Sequence, residues 1–129
     1  MEELVRRGEL DGATSVMFRE VVELSEEEFQ QLRGSPTWAA RVAAAHTVPR
    51  ELRAEEGYRL DPEQFRSVTA PALLMLGSES PSWARQGTEL ARAVLPNPRL
   101  TVLPGQGHAA IMTAPELFTA EVVRFLETE

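Results

Sequence analysis

A short apolar run that ends in a glycine-rich turn and a histidine constrains the fold of this chain most strongly. Residues 99–103 are Arg-Leu-Thr-Val-Leu, and Pro-Gly-Gln-Gly-His108 follows at once. Such a run predicts a buried strand of a parallel sheet, and the glycines predict a sharp turn at its carboxyl end. Because functional residues gather at the carboxyl edge of parallel sheets, His108 is the leading candidate for a general base. The alternative interpretation is a surface or helix-capping histidine in an ordinary turn.

The sequence from residue 67 onward predicts alternating strands and helices. Residues 72–76, Ala-Leu-Leu-Met-Leu, form a second apolar run between a proline and a glycine. Helices are expected over residues 82–94 and 115–126, so the order is strand, helix, strand, helix. This order predicts a parallel, right-handed α/β unit. Two strands that are apolar on both faces leave an open sheet edge, where another segment or chain is expected to pair.

The first half of the chain, residues 1–66, predicts five short helices joined by tight breaks, with no strand. Ser25 and Glu28 have the spacing of a capping box at the start of one helix. Ser35 is interpreted as the N-cap of the next helix, because the proline after it suits the first helical position. The pattern therefore predicts two domains, residues 1–66 and residues 67–129.

Composition argues against several classes of function. Thirteen basic and twenty acidic side chains give a formal charge of −7, so no nucleic-acid partner is expected. There is no cysteine, and two histidines among scattered carboxylates have no metal-ligand spacing, so we expect no metal and no cofactor. No apolar run is long enough for a bilayer span, and the amino-terminal residues lack a signal-peptide pattern. We therefore expect no membrane partner and a cytoplasmic location.

Residues 69–126 resemble the C-terminal part of the α/β-hydrolase family. The resemblance rests on the two apolar runs, the Gly-Gln-Gly-His loop and the two helices, which occur in the family's order. The helical residues 1–66 are similar to the cap, or lid, that many members insert before these strands. The resemblance implies an α/β fold class, namely a partial α/β-hydrolase fold in which a helical cap precedes a strand-helix-strand-helix parallel unit.

The resemblance also implies roles for individual residues. His108 would be the base that takes the proton of the nucleophile and returns it to the leaving group. The acid that orients this histidine would lie in the loop of residues 77–81, where Glu79 is the only carboxylate. Ser78 or Ser80 could instead occupy the place of the acid, which would leave no charge there and make Glu79 a solvated loop residue.

The nucleophile of the family is missing from this sequence. No serine has the Gly-x-Ser-x-Gly context of a nucleophile elbow, and the oxyanion-hole loop is missing as well. We therefore expect esterase-like hydrolysis of a small-molecule acyl substrate only when a missing N-terminal hydrolase half completes the protein. The alternative is a non-catalytic small-molecule-binding or interaction module, with a second copy of the chain paired across the open sheet edge.

Overall fold

The computed structural model describes residues 1–128. Its internal contacts divide the chain into two compact units, of which the first is Met1–Arg59 and the second begins at Leu60. The structure divides the chain after Arg59, whereas the sequence pattern places the division after residue 66. The short helix Pro62–Arg66 belongs to the second unit, because it packs against the helix Ser82–Val94.

The first unit is helical throughout. Its elements are α1 (Glu2–Arg6), α2 (Leu10–Val16), a π-helical turn (Met17–Val21), α3 (Glu26–Arg33), α4 (Trp38–Ala44) and α5 (Val48–Gly57). The capping box at the start of α3 forms as predicted. The Ser25 hydroxyl accepts the backbone N–H of Glu28 at 3.2 Å, and the Glu28 carboxylate accepts the backbone N–H of Ser25 at 2.8 Å. Helix α1 and the π-helical turn were not predicted.

The prediction that Ser35 caps the next helix is wrong. Helix α4 begins at Trp38, its N-cap residue is Thr37, and no side chain caps it. The Ser35 hydroxyl instead donates to the Leu32 carbonyl oxygen at 2.7 Å, so it pairs a backbone group at the end of α3. A serine hydroxyl is both a donor and an acceptor, so its presence between two helices does not decide which of them it caps.

An aromatic cluster packs the first unit. The ring centroid of Trp38 lies 6.2 Å from that of Phe18 and 5.8 Å from that of Phe29, and the second contact is edge-to-face. The Trp38 indole N–H donates to one carboxylate oxygen of Asp11 at 2.8 Å, and Arg33 donates to the other at 2.9 Å. These contacts fix the rings within the unit, so Phe18 and Trp38 serve helix packing there.

The second unit is a small α/β structure. Its elements are α6 (Pro62–Arg66), β1 (Ala72–Gly77), α7 (Ser82–Val94), β2 (Pro98–Leu103), α8 (Ala110–Thr113) and α9 (Pro115–Glu127). The strands pair in parallel, from Ala72 opposite Pro98 to Gly77 opposite Leu103. Helix α7 packs against β1, and α9 packs against β2. The predicted strand-helix-strand-helix order and parallel pairing are confirmed, and both strands end at the same sheet edge.

The sheet is only partly covered. Among residues 1–128 it has no third strand, so β1 and β2 each keep one edge without a strand partner. Val102 in β2 is 50% exposed, whereas Leu103 at the end of the strand is 2% exposed. The apolar side chains of β1 from Ala72 to Leu76 are half-buried. Burial in this unit is thus most complete at the carboxyl edge, where the loops of the candidate site begin.

Candidate active site

The loops that follow β1 and β2 meet at the carboxyl edge of the sheet. The backbone N–H of Ser78 donates to the Leu103 carbonyl oxygen at 2.9 Å, and that of Glu79 donates to the Gln106 carbonyl oxygen at 2.9 Å. The backbone N–H of Gly105 returns a bond to the Ser78 hydroxyl at 2.8 Å. The first of these bonds joins the loop after β1 to the end of β2, and the other two join it to the histidine loop, residues 104–109.

Two glycines allow the histidine loop to lie against the end of β1. An added Cβ at Gly77 would lie 2.2 Å from the Gln106 carbonyl oxygen and 2.4 Å from the Gly107 carbonyl oxygen. The backbone can therefore approach this closely only where residue 77 has no side chain. Gly105 turns the chain with a φ of +66°, a left-handed conformation that costs glycine little.

His108 stands at the end of this loop, just before α8. Its side chain is exposed, and its ring lies edge-on to the Trp83 ring, with centroids 4.5 Å apart and an interplanar angle of 67°. Trp83 belongs to the first turn of α7, so the packing of α7 against β1 positions its ring beside His108. Within the part of the chain that the structure describes, no hydrogen bond engages the imidazole nitrogens. The ring is therefore held by an aromatic contact, and its nitrogens are available for proton transfer.

The structure places Glu79 in the neighbouring loop but gives its carboxylate no bond to His108. The backbone N–H of Glu79 donates to the Gln106 carbonyl oxygen, whereas the Glu79 side chain is exposed to solvent. No other described residue forms a hydrogen bond or an ion pair with this carboxylate. The role of Glu79 as the orienting acid stays a prediction.

A cavity of about 340 Å³ lies beside His108, within the second unit. Its wall includes Ser80, Trp83, Leu103, His108 and Phe118. Ser80 is 2% exposed, and its hydroxyl has no hydrogen-bond partner among the described residues. A buried hydroxyl left unpaired costs about 1–3 kcal/mol. The loop contains three consecutive polar residues, Ser78, Glu79 and Ser80, and their spacing in the sequence does not reveal which side chain is buried.

The other histidine, His46, belongs to the first unit. His46 is exposed just beyond α4, and its Nδ1 atom lies 2.8 Å from the Ala43 carbonyl oxygen. A histidine that bonds a carbonyl at a helix end acts on the local backbone. His46 is thus a suitable reference residue for experiments on His108.

Two other kinds of feature are absent from residues 1–128. None of the helices there combines the length and the apolar character that a transmembrane span needs. No three of the histidine and carboxylate side chains come together in a way that could hold a metal ion.

Comparisons with known proteins relate this chain to longer proteins. No family model matches the sequence. A segment of 65 residues is 35% identical to Protein ABHD14A of Mus musculus, covering 50% of this chain and 26% of the mouse protein. The crystal structure of an α/β hydrolase from Sphaerobacter thermophilus DSM 20745 matches 97% of this chain, with a TM-score of 0.73 and 26% sequence identity. The match covers 48% of that hydrolase, so this chain spans about half of the solved relative.

We expect Gly77→Ala to destabilise the second unit and to displace the histidine loop. The added methyl group would overlap two backbone carbonyl oxygens, which cannot move aside by a side-chain rotation. Overpacking of this kind costs about 1–3 kcal/mol. The free energy of unfolding, measured by urea titration, should fall by that amount.

Gly87→Ala is the matched control for this change. Gly87 lies inside α7, and a Cβ there would meet nothing within 4 Å. The control should raise the free energy of unfolding, by about 0.5–1 kcal/mol, because alanine suits a helix interior better. Equal effects of the two substitutions would contradict the close approach at Gly77.

We expect Ser78→Ala to loosen the histidine loop without unfolding the protein. It removes the acceptor of the Gly105 backbone N–H, and a hydrogen bond of this kind contributes about 0.5–1.5 kcal/mol. Hydrogen exchange at the Gly105 amide should accelerate accordingly. Ser82→Ala is the control, because Ser82 is exposed and lies outside these bonds. Unchanged exchange at Gly105 in Ser78→Ala would show that the bond contributes nothing.

Proposed function

The chain is related to the α/β hydrolases, and from this relationship we propose that it carries the general base of an ester-hydrolysing site. His108 is that base, and the helical first unit serves as the cap domain. One observation carries the proposal. The parallel sheet ends in a loop that presents an exposed histidine against Trp83, with its ring nitrogens free of other bonds in the described residues.

The proposed enzyme needs a nucleophile from outside these 129 residues. No Gly-x-Ser-x-Gly occurs in the sequence, and a triad without its serine loses nearly all of its rate. The completing segment is an N-terminal hydrolase half that supplies the serine and the oxyanion hole. Two facts support this assignment. The chain spans 48% of the solved hydrolase, and each strand of its sheet has an edge at which a further strand can pair.

In the completed site, proton transfer runs through one imidazole nitrogen of His108. That nitrogen takes the serine proton as the serine oxygen attacks the acyl carbon, and it returns the proton to the leaving-group oxygen when the ester bond breaks. The edge-on contact with Trp83 keeps the ring in the wall of the cavity. Leu103 and Phe118 in the cavity wall provide apolar surface for the acyl part of a small ester.

The decisive test is reconstitution of the hydrolase followed by substitution of His108. Joined to a half that carries the serine, the chain should hydrolyse p-nitrophenyl acetate, and His108→Ala should lower kcat by roughly a thousandfold or more. His46→Ala is the matched control and should leave kcat unchanged, because the His46 ring is engaged with the Ala43 carbonyl oxygen at its own helix end. Activity that persists in His108→Ala would remove the proposed role, and hydrolysis by this chain alone would refute the need for a second half.

The source of the missing half can be established at the native locus. We expect the intact mass of the native product to exceed that of this chain, with an in-frame Gly-x-Ser-x-Gly encoded before Met1. A native product of this length, with no such motif in an adjoining reading frame, would instead favour the non-catalytic binding module.

A further inference from the structure

We propose that Ser80 is the positioning residue of His108, with the Ser80 hydroxyl accepting the N–H of the imidazole ring. Glu79 then has no part in orienting the base. This inference rests on the proposed role of His108 as the general base. It replaces the expected carboxylate with a neutral hydrogen-bond acceptor.

Two polar groups without partners share one cavity. The Ser80 hydroxyl is buried and unpaired, and the ring nitrogens of His108 have no hydrogen bond within residues 1–128. Both residues line the same cavity of about 340 Å³. A hydroxyl oxygen accepts and a neutral imidazole donates through one nitrogen, so the two groups are chemically complementary. Their pairing would satisfy both.

The backbone holds Ser80 in this position from both sides. Its N–H donates to the Gly77 carbonyl oxygen at 3.1 Å, which closes the turn after β1. Its carbonyl oxygen accepts Nε of Arg85 at 2.9 Å, which ties the turn to α7. Trp83, three residues further along, touches the His108 ring. The turn that buries Ser80 therefore leads directly into the first turn of α7, which carries Trp83, the aromatic neighbour of His108.

Two rival roles are less consistent with the structure. The Glu79 carboxylate faces solvent, and it would have to give up hydration and reorient to reach the ring. A nucleophilic role for Ser80 is excluded by burial, because its oxygen is not open to an acyl substrate. Ser80 can thus act on the imidazole but not on the ester.

A neutral acceptor has a chemical consequence. It fixes which ring nitrogen carries the proton, so the other nitrogen is ready to accept the proton of the serine. It adds no negative charge to stabilise the imidazolium that forms during reaction, whereas an aspartate would. A carboxylate placed at residue 80 should therefore raise the rate of the completed enzyme.

The orientation can be tested directly by ¹⁵N NMR of the histidine rings in the intact protein. Ser80→Ala should change the tautomer populations of His108 and leave His46, which is bonded to Ala43, as an unchanged internal reference. The thermal midpoint should fall by no more than the loss of one neutral hydrogen bond, because the hydroxyl has no other partner to lose. Glu79→Gln tests the rival assignment and should leave the His108 signals unchanged.

The rate provides the second readout. In the reconstituted hydrolase, Ser80→Ala should lower kcat about tenfold with little change in KM, the equivalent of one neutral hydrogen bond. Ser80→Asp should raise kcat above the wild-type value, and the exposed control Ser82→Ala should match the wild type.

Several results would overturn the proposal. These are unaltered His108 signals in folded Ser80→Ala, altered signals in Glu79→Gln, or a kcat that falls in Ser80→Asp. If Ser80→Ala does not fold, Ser80→Thr is compared with Ser80→Val, which has the same shape without the hydroxyl: ring signals retained in Ser80→Thr and altered in Ser80→Val support the proposal, and equal signals in the two refute it. Absence of hydrolysis in the reconstituted protein would refute the proposed function alone, since the NMR experiment reads the orientation without any reaction.

Discussion

The close approach of the histidine loop to the end of β1 is the contact on which the geometry of the site depends. Gly77 and Leu103 face each other at the last position of the parallel register, so the two loops start side by side. Because residue 77 has no Cβ, the carbonyl oxygens of Gln106 and Gly107 can rest on the strand end. His108 follows directly, and its position is thereby fixed relative to α7. In the proposed enzyme, a displacement of His108 by about 1 Å would cost roughly a hundredfold in rate, so the absence of a side chain at residue 77 matters there.

Sequence reasoning identified the second unit well because its signals are local. An apolar run between a proline and a glycine gave β1, and helix α7 has the predicted limits, Ser82–Val94. The resemblance to the α/β hydrolases is confirmed, as is the partial fold, by the match of 97% of the chain to a solved hydrolase. The capping box at Ser25 was also predictable, because both of its hydrogen bonds lie within four consecutive residues.

The sequence is a weaker guide to side chains whose direction depends on tertiary contacts. Ser35 has the right neighbours for an N-cap, yet its hydroxyl bonds backward to α3. In the loop after β1, residue type favoured Glu79, because a carboxylate orients an imidazole more strongly than a hydroxyl does. The turn closed by the Gly77 carbonyl oxygen buries Ser80 instead and leaves Glu79 in solvent. The loop after β1 is also held by hydrogen bonds to the histidine loop, such as the one from the Glu79 N–H to the Gln106 carbonyl oxygen. The histidine loop follows α7 and β2 in the chain, so local sequence does not reveal these bonds.

The partly covered sheet links stability to the proposed activity. A sheet of two short strands is only marginally stable. Val102 is 50% exposed although it belongs to an apolar strand. Covering apolar surface contributes about 25 cal/mol per Å², so a segment that pairs with the open edge and covers these strands gains stability as it binds. In the proposed enzyme the same segment carries the nucleophile. The binding of this segment would then complete the sheet and bring the serine to His108 in the same step. In the proposed enzyme, the cavity beside His108 therefore gains its nucleophile only when the core is complete.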